Sequence, residues 1–312
     1  MSSQLAFQPP VALIFPGQGA QAPGMLDGVR NAPRFAERLA IVCEYTSTAG
    51  LESLLRAKPE TLTQNQFSTL LTVLVSTLSL DRFRQLQQGE PQYFAGHSVG
   101  QWTAMYAAGM LDFESLIRIL HRRAQLMDEC ARRVPGGMCA VIGLTEAALQ
   151  RVLAALRSEG QRVFISNRNC YAHYTIAGTV AAVDLAVEHI ASLKPRKLAR
   201  LPVSGAWHCP ILEEAERPFA DLLRAIEFRP RSAPIVDNVT GDWLPSDHGA
   251  LCETLARHLS HPVQWQAGVG KLIGAGCNTF VEIGYGNMLT KLGFFIDRQR
   301  RFIPFYDVYG QR

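Results

Sequence analysis

The sequence has little that would mark a metal site, a membrane or a nucleic acid. Its seven cysteines are an odd number and form no C-x-x-C pair, which fits scattered reduced thiols better than a disulfide framework or a zinc site. His258 and His261 come nearest to ligand spacing, but two lone histidines are more often surface or core residues, so no metal is expected. No apolar run reaches the ~20 residues of a membrane span; the longest, such as Leu70 to Leu80, are broken by threonine and serine. The N-terminus has no charged segment leading into an apolar one, so a cytoplasmic protein without membrane contact is expected. The net charge of +4 is too mild to imply nucleic acid, and no basic helix interleaved with aromatics accompanies it. Basic clusters around Arg196, Lys197 and Arg200, and at Arg298, Arg300 and Arg301, read first as solvated faces. Repeats and low-complexity tracts are absent.

What is there is enough apolar residue, 47% of 312, to bury a sizeable core in one large or two unequal domains. The run "VALIF" (11–15), cut by Pro16 and two glycines, predicts a buried strand ending in a turn. Residues 34–86 read as helix in pieces, 93–95 as a short strand, 101–108 as helix and 113–130 as a longer one, an alternation that predicts a parallel α/β sheet. "VPGG" (134–137) predicts a boundary. Beyond it, 138–144 reads as strand and Leu149, Val152, Leu153 and Leu156 line one helix face. Strands follow at 163–166 and 174–178, a second helix face at Val183, Ala186, Val187 and Ile190, and a strand at 198–203. The order βαββαβ is that of a ferredoxin-like unit inserted over 137–203, with residues 1–136 and 204–312 forming the larger domain. That domain resumes with strands expected at 234–238 and 279–283.

Gly96-His97-Ser98-Val99-Gly100 fits the nucleophile elbow, in which glycines permit a strained strand-to-helix turn that lifts a serine oxygen above a sheet. The pattern alone is weak, arising by chance in roughly one chain of this length in ten. Its setting, strand before and helix after, is what gives it weight, because the helix N-terminus aims N–H groups at an oxyanion formed beside Ser98. His97 diverges from its neighbour on such a turn and reads as structural. Among the histidines, His208 in "VSGAWHCP" follows the last strand of the insert, where the chain re-enters the larger domain; it is the candidate base, although on spacing alone an ordinary loop histidine is the simpler reading. None of the acids between Ser98 and His208 stands where it would complete the Ser…Asp…His order of ordinary α/β hydrolases. "GQGAQA" (17–22), with Glu37 beyond it, imitates a dinucleotide fingerprint, but Pro16 and Pro23 break the turn and helix this needs.

Several stretches in order resemble one family: "FPGQGAQ" (15–21), "GHSVGQ" (96–101), "RAQLM" (123–127), "NRN" to "TIAG" (167–178), "GAWHCPIL" (205–212), "HPVQW" (261–265) and "EIGYGNMLT" (282–290). Together they are similar to the malonyl-CoA:acyl carrier protein transacylases over nearly the whole chain. They also resemble polyketide synthase acyltransferase domains and the epsilon subunit of malonate decarboxylase, to which "FPGQGAQAPGML" and "HCPIL" look closer.

The resemblance implies a hydrolase-like parallel-sheet domain with a ferredoxin-like insert. It also implies malonyl transfer from malonyl-CoA to the phosphopantetheine thiol of an acyl carrier protein, or of the malonate decarboxylase carrier subunit, through a seryl ester and with no bound cofactor. Ser98 matches the nucleophile, His208 the general base, and Gln18 with the backbone N–H of Val99 the oxyanion hole. The backbone carbonyl of His258, where the family often has Gln, matches the group that orients the base, and the ring itself is expected to matter little. Arg123 matches the fork that binds the free carboxylate of malonyl; outside that register a solvated arginine fits as well. Gln66 aligns near the substrate channel, Asn167 and Asn169 line the cleft, and the bulk of Trp207 is expected to narrow the acyl pocket. Gln101 for Glu, Tyr285 for Pro, Asn287 for Lys and Cys170-Tyr171 for Ser-Pro are departures. A serine hydrolase of the same fold and a non-catalytic scaffold subunit are the competing readings.

Overall fold

The computed structural model describes residues 7, 9–19, 21–46, 59–86 and 89–306. Strand β1 (Val11–Phe15), buried throughout, is followed by helices α1 (Phe35–Thr46) and α2 (Asn65–Leu86). Residues 47–58 of the expected helical stretch lie outside the described residues. The Leu70–Leu80 run forms the middle of α2 and is buried on every side, as an all-round apolar helix must be. No helix among the described residues is long and apolar enough to cross a membrane. Then come β2 (Tyr93–Gly96), α3 (Gly100–Ala107) and α4 (Phe113–Arg133), whose first turn is capped by the Asp112 carboxylate accepting from Ser115 N–H.

The second unit contains β3 (Gly136–Ile142), α5 (Glu146–Ser158), β4 (Val163–Cys170), β5 (His173–Thr179), α6 (Val180–Ala191) and β6 (Lys197–Arg200). Its sheet runs β4-β5-β3-β6, all antiparallel. The first and third strands of the βαββαβ unit, β3 and β5, thus lie in the centre and the second and fourth, β4 and β6, at the edges, as in ferredoxin-like folds. Leu149, Leu153 and Leu156 of α5 and Val183, Ala186 and Ile190 of α6 pack on one face of it, forming a separate core.

The chain returns through α7 (Glu213–Arg224), α8 (His248–Arg257), α9 (Trp265–Gly274), β7 (Thr279–Glu282), α10 (Met288–Ile296) and β8 (Arg301–Pro304). The larger sheet is parallel, in the order β2-β1-β7-β8. The two units are joined by backbone: Val263 N–H donates to Ser166 O and Arg168 N–H to Val263 O, both at 2.9 Å.

Three sequence expectations are corrected. Gly136 and Gly137 lie inside β3 instead of in a break; a Cβ on Gly136 would meet Ala206 at 2.7 Å, so glycine there serves close packing. Residues 234–238 are no full strand but two isolated bridges, Ile235 with Phe94 at the sheet edge and Val236 with Trp243. β8, with Pro304 tolerated on an edge strand, went unforeseen because its short apolar stretch follows the arginines read as surface.

Candidate active site

The site begins where β1 and β2 end side by side, Phe15 paired with Gly96. Ser98 has φ +53°, in the left-handed region that costs a non-glycine residue about 1–2 kcal/mol. The flanking glycines explain how the turn closes: a Cβ on Gly96 would come within 2.0 Å of the Gly100 carbonyl, and one on Gly100 within 2.1 Å of Phe15 O. The elbow expected from sequence is thus present, and its two glycines are dictated by backbone contact.

Ser98 Oγ lies 2.6 Å from His208 Nε2, and His208 Nδ1 lies 2.7 Å from the carbonyl oxygen of His258. A carbonyl can only accept, so Nδ1 carries the proton and Nε2 offers its lone pair to the serine hydroxyl. His208 also has a left-handed backbone, φ +57°, and its N–H is anchored on Leu259 O at 3.1 Å. Burial, assisted by the nearby Arg123 charge, pushes the pKa of His208 down to about 3, so the resting imidazole is neutral and able to take a proton.

Arg123 lies on the buried face of α4, 1% exposed. None of its three guanidinium nitrogens has a hydrogen-bond partner among the described residues. Burial lowers its pKa to about 10, which still leaves it charged at neutral pH. A buried, unpaired charge is strongly unfavourable, and a bound anion would relieve it. Gly17 presses the loop after β1 onto the elbow, where a Cβ would sit 2.6 Å from His97 O. Beside it, the Gln18 side chain donates to acceptors on α2, with Asn65 Oδ1 at 2.9 Å, Ser68 Oγ at 2.7 Å and Thr69 Oγ1 at 2.8 Å. Val99 is the N-cap of α3.

Other expected residues are placed less uniformly. Asn169 is buried and its Oδ1 lies 2.9 Å from His97 Nε2; burial holds that histidine at about 4, neutral and structural as expected. Asn167 accepts from Ser166 Oγ at 2.8 Å. Gln66 is not brought to Ser98: its amide is spent on Tyr45 O at 3.0 Å and His121 Nδ1 at 2.5 Å. The far end of the Trp207 ring is turned onto Gly205, 2.4 Å from where a Cβ would be, with Ala131 on the same side. Ala131 is about 12 Å along α4 from Arg123, so the narrowing of the acyl pocket expected of this ring has no contact to support it.

Sequence reasoning missed Asn238. Its Oδ1 accepts from Ser98 N–H at 2.7 Å, its Nδ2 donates to Gly96 O at 2.7 Å, and its own N–H donates to Gln101 Oε1 at 2.7 Å. One amide therefore clamps both sides of the strained turn, and Gln101, noted only as a departure from the family, holds the clamp. Nothing within "DNVTGDW" signals this, since the partner is 140 positions away. Asn238→Ala is expected to destabilise the protein by about 1–3 kcal/mol, the cost of leaving buried backbone groups unpaired, and to slow acylation of Ser98. Denaturant midpoints and the burst rate measure the two effects separately.

The acyl transferase domain model matches residues 12–293. The chain belongs to the acyl transferase family. This acyltransferase is 31% identical over 300 residues to the malonyl CoA-acyl carrier protein transacylase of Bacillus subtilis, covering 95% of this chain and 93% of the relative. It is 32% identical to the Salmonella typhimurium transacylase, with 90% and 91% covered. Among solved structures, the malonyl-CoA:acyl carrier protein transacylase of Xanthomonas oryzae superposes with a TM-score of 0.87 at 28% identity, over 95% of this chain and 94% of that one. A malonyl-transacylase in complex with its type II polyketide synthase acyl carrier protein superposes with the same TM-score at 29% identity, over 94% of each chain.

Proposed function

We propose that this acyltransferase moves a malonyl group from malonyl-CoA to the phosphopantetheine thiol of an acyl carrier protein through an ester on Ser98. The observation that carries the reading is the hydrogen-bonded chain from Ser98 through His208 to the His258 carbonyl, together with the buried Arg123 guanidinium, which has no partner among the described residues. In the first half-reaction Ser98 Oγ attacks the thioester carbonyl while His208 Nε2 takes its proton. The tetrahedral oxyanion is received by the N–H groups of Val99 and Gln18. The C–S bond then breaks, and His208 protonates the departing coenzyme A thiolate. In the second half-reaction the carrier thiol gives its proton to His208 and attacks the ester, and the released Ser98 oxygen takes the proton back. Proton bookkeeping closes on Ser98 and His208, so the cycle uses no bound cofactor; coenzyme A is part of the substrate and phosphopantetheine belongs to the partner. Seven free cysteines, all but Cys43 buried, suit a cytoplasmic setting.

The ready-made Ser98–His208 contact favours this over a scaffold role. A hydrolase of the same fold is separated by turnover: with malonyl-CoA and no carrier, a transferase stops after one acyl group per chain, whereas a hydrolase continues. The likeness of "FPGQGAQAPGML" and "HCPIL" to the malonate decarboxylase subunit makes that enzyme's carrier subunit a second acceptor to assay beside acyl carrier protein. An acidic carrier would meet the exposed Lys194, Arg196 and Lys197 around β6, while Arg200 is already paired with Asp184. Surface charge of this kind chiefly raises encounter rates and is screened by salt. Transfer to the carrier is therefore expected to fall more steeply with ionic strength than acylation by malonyl-CoA. Equal salt dependence of the two half-reactions would remove this surface as the docking site.

A further inference from the structure

His258 was expected to contribute only its carbonyl, yet its side chain is placed as carefully as its backbone. The ring is fully buried and stacks on His208, with centroids 4.9 Å apart and planes 22° from parallel. Its backbone is committed, the carbonyl to His208 Nδ1 and the N–H to Thr254 O at 3.1 Å. Both ring nitrogens, however, are without a partner among the described residues. A neutral imidazole has one N–H and one lone pair, and burying both unmet carries the desolvation penalty of lost hydrogen bonds. A flat apolar ring would stack equally well without that penalty. Arg123 and His97 Nδ1 are likewise buried without partners among the described residues, and of the groups that act electrostatically on both imidazoles Arg123 is the one that carries a full charge.

We infer that the His258 side chain is a second donor to the free carboxylate of the acyl group, sharing it with Arg123. A carboxylate offers about four lone-pair positions and a guanidinium fork occupies two, which leaves room for an imidazole N–H. A neutral donor suits the place: a second full positive charge would oppose both Arg123 and the imidazolium that forms on His208 during each half-reaction. His258 is thus a specificity residue through its ring and a positioning residue through its carbonyl. The inference rests on the reading that the acyl group carries a free carboxylate bound by Arg123.

The test is kcat/KM for malonyl-CoA and for acetyl-CoA in the wild type, His258→Phe, His258→Gln and Arg123→Ala. All retain the carbonyl at position 258. Loss of a hydrogen bond to a charged group predicts a fall of roughly tenfold in the malonyl-to-acetyl ratio for His258→Phe, carried chiefly by a higher KM for malonyl-CoA. Partial recovery is expected in His258→Gln, whose amide restores a donor. Should His258→Phe fail to fold, His258→Leu, equally without a donor, supports the same comparison. An equal loss with both thioesters would overturn the inference and leave the ring a mere support for His208. An unchanged ratio in the His258 variants beside a reduced one in Arg123→Ala would also overturn it while leaving the malonyl reading intact. If the ratio is unchanged in Arg123→Ala as well, the acyl carboxylate is not bound by Arg123 and the reading on which the inference rests fails.

Discussion

Ser98→Ala is expected to acquire no malonyl mass when incubated with malonyl-CoA, whereas the wild type gains one malonyl group per chain. The effect is all or none, because among the described residues no other hydroxyl is held against His208 Nε2 as Ser98 Oγ is, at 2.6 Å. His208→Ala retains the serine but loses its proton acceptor, and acylation should slow by about 10²-fold or more. A malonyl adduct on Ser98→Ala, located by peptide mass, would move the nucleophile elsewhere. The same environment sets the pH dependence. Protonating His208 removes the base, so the rate falls as pH falls; burial and Arg123 hold its pKa down to about 3, so the acid limb of kcat/KM should lie well below the ordinary histidine range. Stability behaves differently. Between those values the unfolded chain binds protons on His97 and His208 that the native protein refuses, so stability should decline as pH drops through about 6.5.

Arg123→Ala is expected to lower the preference for malonyl over acetyl by roughly 10- to 10²-fold, the worth of charge-assisted hydrogen bonds to an ionised group. Acetyl-CoA should gain relative to malonyl-CoA and be turned over faster in absolute terms, because the variant also removes a buried cation that an acetyl group leaves unpaired. Arg123→Lys should recover only part of the preference, since an ammonium retains the charge without the planar fork. The measurement is kcat/KM for both thioesters in the three proteins. An unchanged ratio throughout would make Arg123 a structural residue and place selection elsewhere.

How much of this was legible in the sequence follows from the range of each cause. The elbow could be read because its constraint is contained in five residues: Gly96 and Gly100 are demanded by approaches of 2.0 and 2.1 Å that no Cβ survives. The βαββαβ unit could be read because strand and helix periodicities are local, and α5 and α6 carry their apolar faces at helical spacing. The family resemblance supplied the pairing of Ser98 with His208, which spacing by itself left open. Tertiary structure decided the rest. It made Arg123 a buried, unpaired charge instead of a solvated one, because the surroundings of a polar residue on an amphipathic helix are set by what packs over it. It committed the Gln66 amide to Tyr45 and His121 and turned the far end of the Trp207 ring onto Gly205. It brought Asn238 onto the elbow and the carbonyl of His258 onto His208. A carbonyl belongs to every residue and an asparagine to many loops, so neither leaves a mark in the sequence; each acquires its role only when segments far apart in the chain fold against one another.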